Sequence, residues 1–369
     1  MNLMLLCSKK STRFVRKGVG LLLGVLALAI LASPPLAAAA TYTMTIAYLY
    51  PKDLNNNEQA PALIHFKQLV ESATHGDIAV KLFANGQLGS EVETAKAAQG
   101  GVTIQSTLIS SGAESSFYKK YQIMTTPFLF PNYDTAWAFF NSKWFADFMH
   151  PMIAQRGLRY LGTFDDGGGY VALTNNKRLV KTLADLKGLS IRVEENPAHI
   201  AIMKALGANA TPLAWGEVHT ALATGLMDGQ FNAPGTNAAF KLWEVTKYTT
   251  WSGHIYNTVT WLVSEKWFSK LPETYRKIIV EAARESVHMA HGVAARVTLA
   301  GWQASCQHFK SCYILPPDEK QKWARTARPA FKKWITTDMG IPVSEVDAFW
   351  NEVDKVAAEV QEHDAVYMK

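Results

Sequence analysis

Apolar and polar residues alternate along Leu189-Ser190-Ile191-Arg192-Val193, which is the period of a half-buried strand. Asn196 then offers a helix N-cap, and Pro197 suits the first helical position, where a missing N–H costs nothing. Ala198, Ile202, Ala205 and Leu206 keep helical spacing until Gly207 supplies a stop. Thr211 to Ala214 predicts a second short strand. Val218, Ala221 and Leu222 predict a second helix ended by Gly225, and Met227 to Asn232 a turn and a third strand. The order β-α-β-α-β is the unit of an open, mostly parallel sheet.

The same order is predicted nearer the start of the chain. Met44, Ile46, Tyr48 and Tyr50 share one face of a strand over Thr43–Tyr50, and Leu63, Phe66, Leu69 and Val70 mark a helix over about 60–72. Ile78, Val80 and Leu82 mark the next strand, Asn85-Gly86 a turn, and Ser90 with Glu93 a capping box for a helix through Ala98. Val102 to Ser110 is the third strand. Further on, helices are predicted around 133–156, and strands at Val245–Trp251 and Ile255–Val263. From Pro272, a stripe of Val280, Ala283, Val287, Ala290, Ala294 and Val297 predicts a long helix whose stripe packs in the core. Shorter amphipathic helices, including Trp334, Phe349 and Trp350, fill Trp323–Val366.

Sheets of this kind bind ligands at the carboxyl ends of their strands. Arg192, Trp215 and Asn232 therefore meet on one rim as a guanidinium fork, a flat aromatic and a carboxamide. Ser110 and Ser111 end a strand of the first unit, and Tyr48 and Tyr50 end another, so these four are placed opposite. Asp165-Asp166-Gly167-Gly168-Gly169-Tyr170 reads as a crossover and hinge with Tyr170 near the ligand. No lysine and Ser/Thr follow it at the spacing of a phosphate loop.

Residues 1–40 combine Lys9, Lys10, Arg13, Arg16 and Lys17 with an apolar run from Leu21 to Ala32 and an Ala38-Ala39-Ala40 end. That is the pattern of a secretory leader cleaved near Ala40, with a run too short for the ~20 residues of a membrane span. Removing it takes 37 basic and 31 acidic residues to 32 and 31, so the formal charge falls from +6 to +1. The basic balance of the whole chain is thus no argument for a nucleic-acid or membrane partner. The 329 of 369 residues that remain suffice for two lobes with their own cores. Cys306 and Cys312 are the only cysteines left after cleavage, and an oxidising compartment predicts one disulfide between them.

Catalytic constellations are missing from the sequence: there is no G-x-S-x-G elbow, H-E-x-x-H or paired C-x-x-C. His288 and His291 lack an obvious third metal ligand and read as solvent-facing, and Glu217 as a brace of the helix that begins beside it. Asp165 and Asp166, adjacent in sequence, point in different directions and make a poor acid/base pair. Neither enzyme, metal nor cofactor is predicted.

LKGLSIRV, followed by KALGANATPLAWGEVHTALATGLMDGQFNAP, resembles the solute-binding proteins of tripartite ATP-independent periplasmic (TRAP) transporters, the DctP-type receptors; FANGQLGSEVE at Phe83–Glu93 resembles a second block of that family. The resemblance implies a two-lobed α/β periplasmic solute-binding protein, with an open βαβ sheet in each lobe and a long spine helix across both. Lobe I would span 41–168 with a segment about 255–297 crossing back, and lobe II 169–254 with C-terminal helices about 298–369 packed on the lobes. It implies a monomer that closes on a small organic acid and hands it to a small and a large membrane subunit. Arg192 matches the family arginine that forks the ligand carboxylate. Many relatives read D-G-x-E-N where this chain has Asp228-Gly229-Gln230-Phe231-Asn232, so Phe231 stands beside the site in place of an acid, or faces the core instead. Dicarboxylate-binding relatives often carry a second arginine shortly before the turn that here reads Thr174-Asn175-Asn176-Lys177. No cation stands at the matching Tyr170–Thr174, Lys177 and Arg178 belong to the turn, and Lys81 falls on an exposed strand face. A monocarboxylate with an apolar or aromatic body is expected. A sensing module for a signalling partner and a periplasmic enzyme are the alternatives. Neighbouring genes for two membrane subunits would argue against the sensor, and recovery of unchanged ligand against the enzyme.

Overall fold

Nine strands among the described residues join one sheet, in the order β2-β1-β3-β8-β4-β7-β5-β6, with β9 added against β8. They are β1 Tyr42–Ala47, β2 Ile78–Phe83, β3 Ser106–Ser110, β4 Leu158–Asn175, β5 Ser190–Val193, β6 Asn209–Pro212, β7 Gly229–Asn232, β8 Tyr248–Ser264 and β9 Ser311–Ile314. The chain is described from a computed structural model that covers residues 39–367. Almost all of the predicted leader therefore lies outside the described residues.

Both predicted β-α-β-α-β units are present. β1 pairs in parallel with β2 and β3, and β5 in parallel with β6 and β7. Their helices, Gln59–Ala73 and Glu91–Gly100 in the first unit and Pro197–Ala205 and Trp215–Ala223 in the second, start and stop where the caps indicate. Ser90 and Glu93 form the reciprocal capping box, and the Asn196 side chain accepts a hydrogen bond from the Ala198 N–H. The two long strands β4 and β8 pair antiparallel and join the units, β8 also pairing with β3 and β4 with β7.

Three departures from the expected elements have local causes. The Asp165–Tyr170 run is a continuation of β4 rather than a crossover. Gly167, Gly168 and Gly169 take positive φ of 61°, 99° and 74°, and the β4–β8 register shifts between Asp165 and Tyr170. Such an irregularity bends a strand without ending it. The two strands expected at Val245–Trp251 and Ile255–Val263 are likewise one, β8, which starts only at Tyr248 and runs through Ser252-Gly253-His254. The third strand begins at Ser106, and Val102 is exposed.

The long helix runs from Glu273 to His308, 36 residues and roughly 54 Å. Ile279, Ala283, Val287 and Ala290 pack in one core with Leu63, Phe66 and Trp261. Val280, expected on that stripe, is exposed, and its neighbour Ile279 takes the buried position. Near the other end of the helix, a Cβ on Gly301 would stand 2.5 Å from the Pro234 carbonyl oxygen, so glycine permits the close approach of two helices. The C-terminal helices Pro317–Thr337 and Val343–Tyr367 bury Trp323, Phe331 and Phe349 in a second core.

His291 is a correction. It is buried, stacked on Trp137 at 5.1 Å, with its Nδ1 3.2 Å from the Asp165 carboxylate, while His288 is exposed as expected. The long helix faces the irregular part of β4 at that point, so one of two residues three apart points inward. The expected Cys306–Cys312 bond is also absent. Both cysteines are free, one in the last turns of the long helix and one in β9. Burial raises the Cys312 thiol pKa, and a hydrogen bond with Cys306 raises it further, so the side chains are neighbours without being joined.

Glu114, fully buried in the helix Ser111–Phe117, leaves both carboxylate oxygens without a hydrogen bond. Burial pushes it up to about 8. A pKa raised on folding means that the folded state holds the proton more tightly. The stabilising contribution is full below the ordinary carboxyl range of about 4–4.5 and is lost as pH rises through about 8. Glu114→Gln is expected to flatten the fall in Tm between about pH 5 and pH 8, and to raise Tm at the alkaline end. Identical slopes for parent and variant in scanning calorimetry would contradict this.

Candidate functional site

The carboxyl ends of β3, β5 and β7 and the irregular part of β4 surround a cavity of about 110 Å³. Arg192 comes to it from β5 and Asn232 from β7, the rim placement expected of both. Trp215 stands at the first turn of its helix with its ring 5.6 Å from the Arg192 guanidinium carbon. Ser110 and Tyr50 line the cavity from the first unit. Five of the nine expected ligand contacts thus face one space.

Four do not. Tyr48 belongs to the core packed on Met44 and Phe66, and its hydroxyl is left without a partner there. Tyr170 packs edge-on against Tyr133 and Tyr256, and its hydroxyl donates to the Phe130 carbonyl at 3.2 Å. Phe231 sits between the rings of His199 and His254, on the face of β7 opposite Asn232. Burial holds both histidines down to about 3, so neither supplies a positive charge. Ser111 is buried just behind the wall, its Oγ 3.5 Å from Glu194 Oε2.

Sequence reasoning missed the acids. Glu91, Asp166 and Glu194 all line the cavity, and Glu195 stands at its exposed edge. Ser110 donates to both Glu91 oxygens, through its N–H at 2.7 Å and its hydroxyl at 2.7 Å. Glu194 accepts from the Gly112 N–H at 2.9 Å, in the first turn of Ser111–Phe117, and from Asn257 at 3.4 Å. Asp166 accepts from the Tyr50 hydroxyl at 2.8 Å, and Tyr50 in turn lies 2.6 Å from the Thr236 hydroxyl. Phe240, edge-on to Trp215 at 4.8 Å, completes an aromatic wall.

Desolvation governs these groups. It pushes Glu91 up to about 8, with the Ser110 bonds opposing and Glu194 adding repulsion. Asp166 is pushed up to about 7 by burial and then by Glu194, against the Tyr50 bond and the Arg192 charge. Glu194 is also raised by burial, with Arg192 opposing. Arg192 is 3% exposed, and its Nε donates to the Leu213 carbonyl at 2.9 Å. Its terminal nitrogens enter no hydrogen bond or ion pair among the described residues. A guanidinium cannot shed its charge, so it is left facing the cavity as a free fork.

The described residues contain no group of three or more His, Cys, Asp or Glu placed to hold a metal. Asp165 is spoken for by Tyr256, Trp137 and His291, behind the cavity wall. A buried fork, an aromatic wall and a cavity between two β-α-β-α-β units define a binding protein for a small molecule. The chain belongs to the bacterial extracellular solute-binding protein family 7, DctP, which it matches over residues 54–337. It is 34% identical over 252 residues to a solute-binding protein of Verminephrobacter eiseniae, spanning 68% of this chain and 73% of that one. Among solved structures it is similar to a TRAP periplasmic solute-binding protein of Bordetella bronchispeptica with density assigned to pantoate (TM-score 0.75, 28% identity, 83% of this chain and 98% of that one). It is also similar to one of Desulfovibrio salexigens with bound orotic acid (TM-score 0.79, 26% identity, 85% and 99%). Members of this family are periplasmic receptors of TRAP transporters. They bind small organic acids, work with membrane subunits and are not enzymes. No helix among the described residues is long and apolar enough to cross a membrane.

Gly167 holds the acid side of the cavity in place. Its φ is +61°, its N–H donates to Glu58 Oε1 at 2.9 Å, and an added Cβ would lie 2.5 Å from the Thr236 backbone nitrogen. Gly167→Ala therefore meets both left-handed strain and a backbone clash, and is expected to cost at least about 1–3 kcal/mol of stability. Urea unfolding that leaves the midpoint unchanged would show that the Tyr50–Asp166–Thr236 corner tolerates the methyl.

Proposed function

We propose that this chain is the periplasmic receptor of a TRAP transporter. It captures a small monocarboxylate with an apolar or aromatic body and delivers it, as a monomer, to the two membrane subunits. The observation that carries this reading is the buried Arg192 fork, which faces the cavity with no protein carboxylate paired to it. A ligand carboxylate completes it with two parallel N–H···O bonds. Trp215 and Phe240 give the ligand body an apolar wall, and Asn232 is placed to bond its polar end. Closure of the two β-α-β-α-β units over the ligand, through the joining strands β4 and β8, would expel water and strengthen each charged contact. The closed form would also present a composite surface for the membrane subunits to recognise.

A second carboxylate has no partner in this cavity. No lysine, histidine or second arginine lines it. Lys81 is exposed on β2, Lys177 pairs with Asp228 in the turn, and Arg178 donates to the carbonyls of Asp185 and Lys187. An unpaired buried charge costs several kcal/mol, which favours monoacids. Pantoate and orotic acid, named for the two solved relatives, are each acids with one carboxyl group, whereas two further solved relatives, of 23% and 25% identity, hold succinate.

Thermal-shift screening of mono- and dicarboxylates is expected to rank monoacids first. Tight succinate or malate binding with the monoacids silent would overturn the monocarboxylate reading. In calorimetry with the best monoacid, Arg192→Ala is expected to weaken binding by about 2–5 kcal/mol, the range for stripping one partner from a buried charged pair. Arg192→Lys should recover little of it, because a point charge lacks the fork. A loss below tenfold for the alanine variant would remove Arg192 from the carboxylate seat.

A further inference from the structure

The cavity wall carries more negative than positive charge, and the excess is built in. Against one guanidinium stand three carboxyl groups, buried Asp166 and Glu194 and half-buried Glu91, with Glu195 at the edge. A simple monoanion uses the guanidinium and leaves those three facing its body. Buried carboxylates need partners, and none of these acids forms an ion pair with Arg192.

Each acid is held by groups that can donate to it. The Ser110 N–H and hydroxyl take one Glu91 oxygen each. Glu194 accepts from the Gly112 N–H and Asn257 amide, and Asp166 Oδ1 from the Tyr50 hydroxyl. Asp166 Oδ2 has no hydrogen bond among the described residues. The Ser110 and Gly112 N–H groups can only donate, which favours ionised Glu91 and Glu194, while burial opposes ionisation and raises all three pKa values. A cation on the cavity side would offset that cost of burial. The aromatic wall fits the same partner, since the faces of Trp215 and Phe240 attract cations, and Trp215 already lies beside the Arg192 guanidinium.

We propose that the ligand is a compact zwitterion, its carboxylate forked by Arg192 and a cationic ammonium, quaternary ammonium or amidinium group seated among Glu91, Asp166 and Glu194. The carboxylate half of this assignment rests on the function proposed above. The cationic half rests on the acid wall alone. The cationic group supplies the charge that a second protein cation would otherwise have to bring.

The test uses isosteric pairs that differ in the cation and not in the carboxylate. Glycine betaine is compared with tert-butylacetate, and proline with tetrahydrofuroate. Each is titrated calorimetrically into the mature chain after co-purifying ligand has been removed. The cationic member of at least one pair is expected to bind at least tenfold more tightly than its neutral isostere. Glu91→Gln and Glu194→Gln should each shrink that preference at least fivefold. Preference for the neutral member in both pairs, or no preference in either, overturns the proposal. So does galactonate binding more tightly than both zwitterions, which would make the acids hydrogen-bond partners of hydroxyl groups. Should Arg192→Ala bind the preferred zwitterion as well as the parent does, the carboxylate reading fails and the cation seat stands.

Discussion

The antiparallel pairing of β4 with β8 is the contact on which the remaining architecture depends. Neither β-α-β-α-β unit alone encloses a cavity: each offers one set of strand ends and one row of helix starts. β8 pairs with β3 near its end and with β9 near its start, and β4 carries β7. Placing the two strands side by side therefore fixes where the two rims meet. The register shift at Asp165–Tyr170 sits between those rims, and the three glycines that absorb it bring Asp166 to the cavity and Asp165 to the aromatic core behind it. An uninterrupted ladder there would have kept strict alternation and turned a different set of side chains inward. The long helix secures the same junction from outside. It packs on the first unit through Ile279 and Val287 and on Pro234 of the second through Gly301.

On that frame the cavity is a problem in charge balance. Four buried carboxyl groups, Glu58, Asp165, Asp166 and Glu194, and the half-buried Glu91 lie in or near the wall, and Arg192 is the buried cation among them. Backbone N–H groups, hydroxyls and the His291 ring stabilise the acids without neutralising them. Donors of this kind can offset part of the cost of burial, and the raised pKa values of Glu91 and Asp166 show that they do not offset all of it. A site with uncompensated charge is less stable empty than filled, so ligand binding gains from relief of the empty state as well as from its own contacts. On the reading proposed above, a dicarboxylate would add repulsion and find no second cation among the lining residues.

Much of the fold was legible because its signals are local. The capping box at Ser90, the N-cap at Asn196 and the alternation in 189–193 each arise within a few residues, and helices and strands begin there. The site was legible only where position along a strand decides the outcome. Arg192, Asn232, Ser110 and Tyr50 end strands or follow them, and all four line the cavity. Strand-end position also places Tyr48 at the rim, and reading the glycine run as a crossover places Tyr170 there, yet neither lines the cavity, because tertiary contacts chose the face. Tyr48 keeps to the core side, and the irregular β4 backbone turns Tyr170 toward Tyr133 and Tyr256. Glu91 was hidden in plain view. An acid in the first turn of a helix is the ordinary partner of the helix dipole, and nothing local marks it as part of a cavity. Glu194 carried a signal that went unused, since it follows β5 at the same rim as Arg192.

What remains is why a carboxylate receptor should surround its one arginine with acids at all. Arg192 needs its charge and its orientation, and it must not be consumed by an internal ion pair. Nearby acids at more than pairing distance raise the preference for the charged guanidinium, which burial lowers, while leaving its fork open. The Nε bond to the Leu213 carbonyl and the contact with Trp215 then aim that fork. Each acid is in turn fixed by groups of its own: Ser110 for Glu91, Gly112 for Glu194, Tyr50 for Asp166. Those fixing groups belong to the first unit, whereas Arg192 and Glu194 belong to the second. The Glu194–Gly112 bond therefore crosses between units inside the cavity wall, and it makes the approach of the two rims depend on a carboxylate that a ligand would also touch.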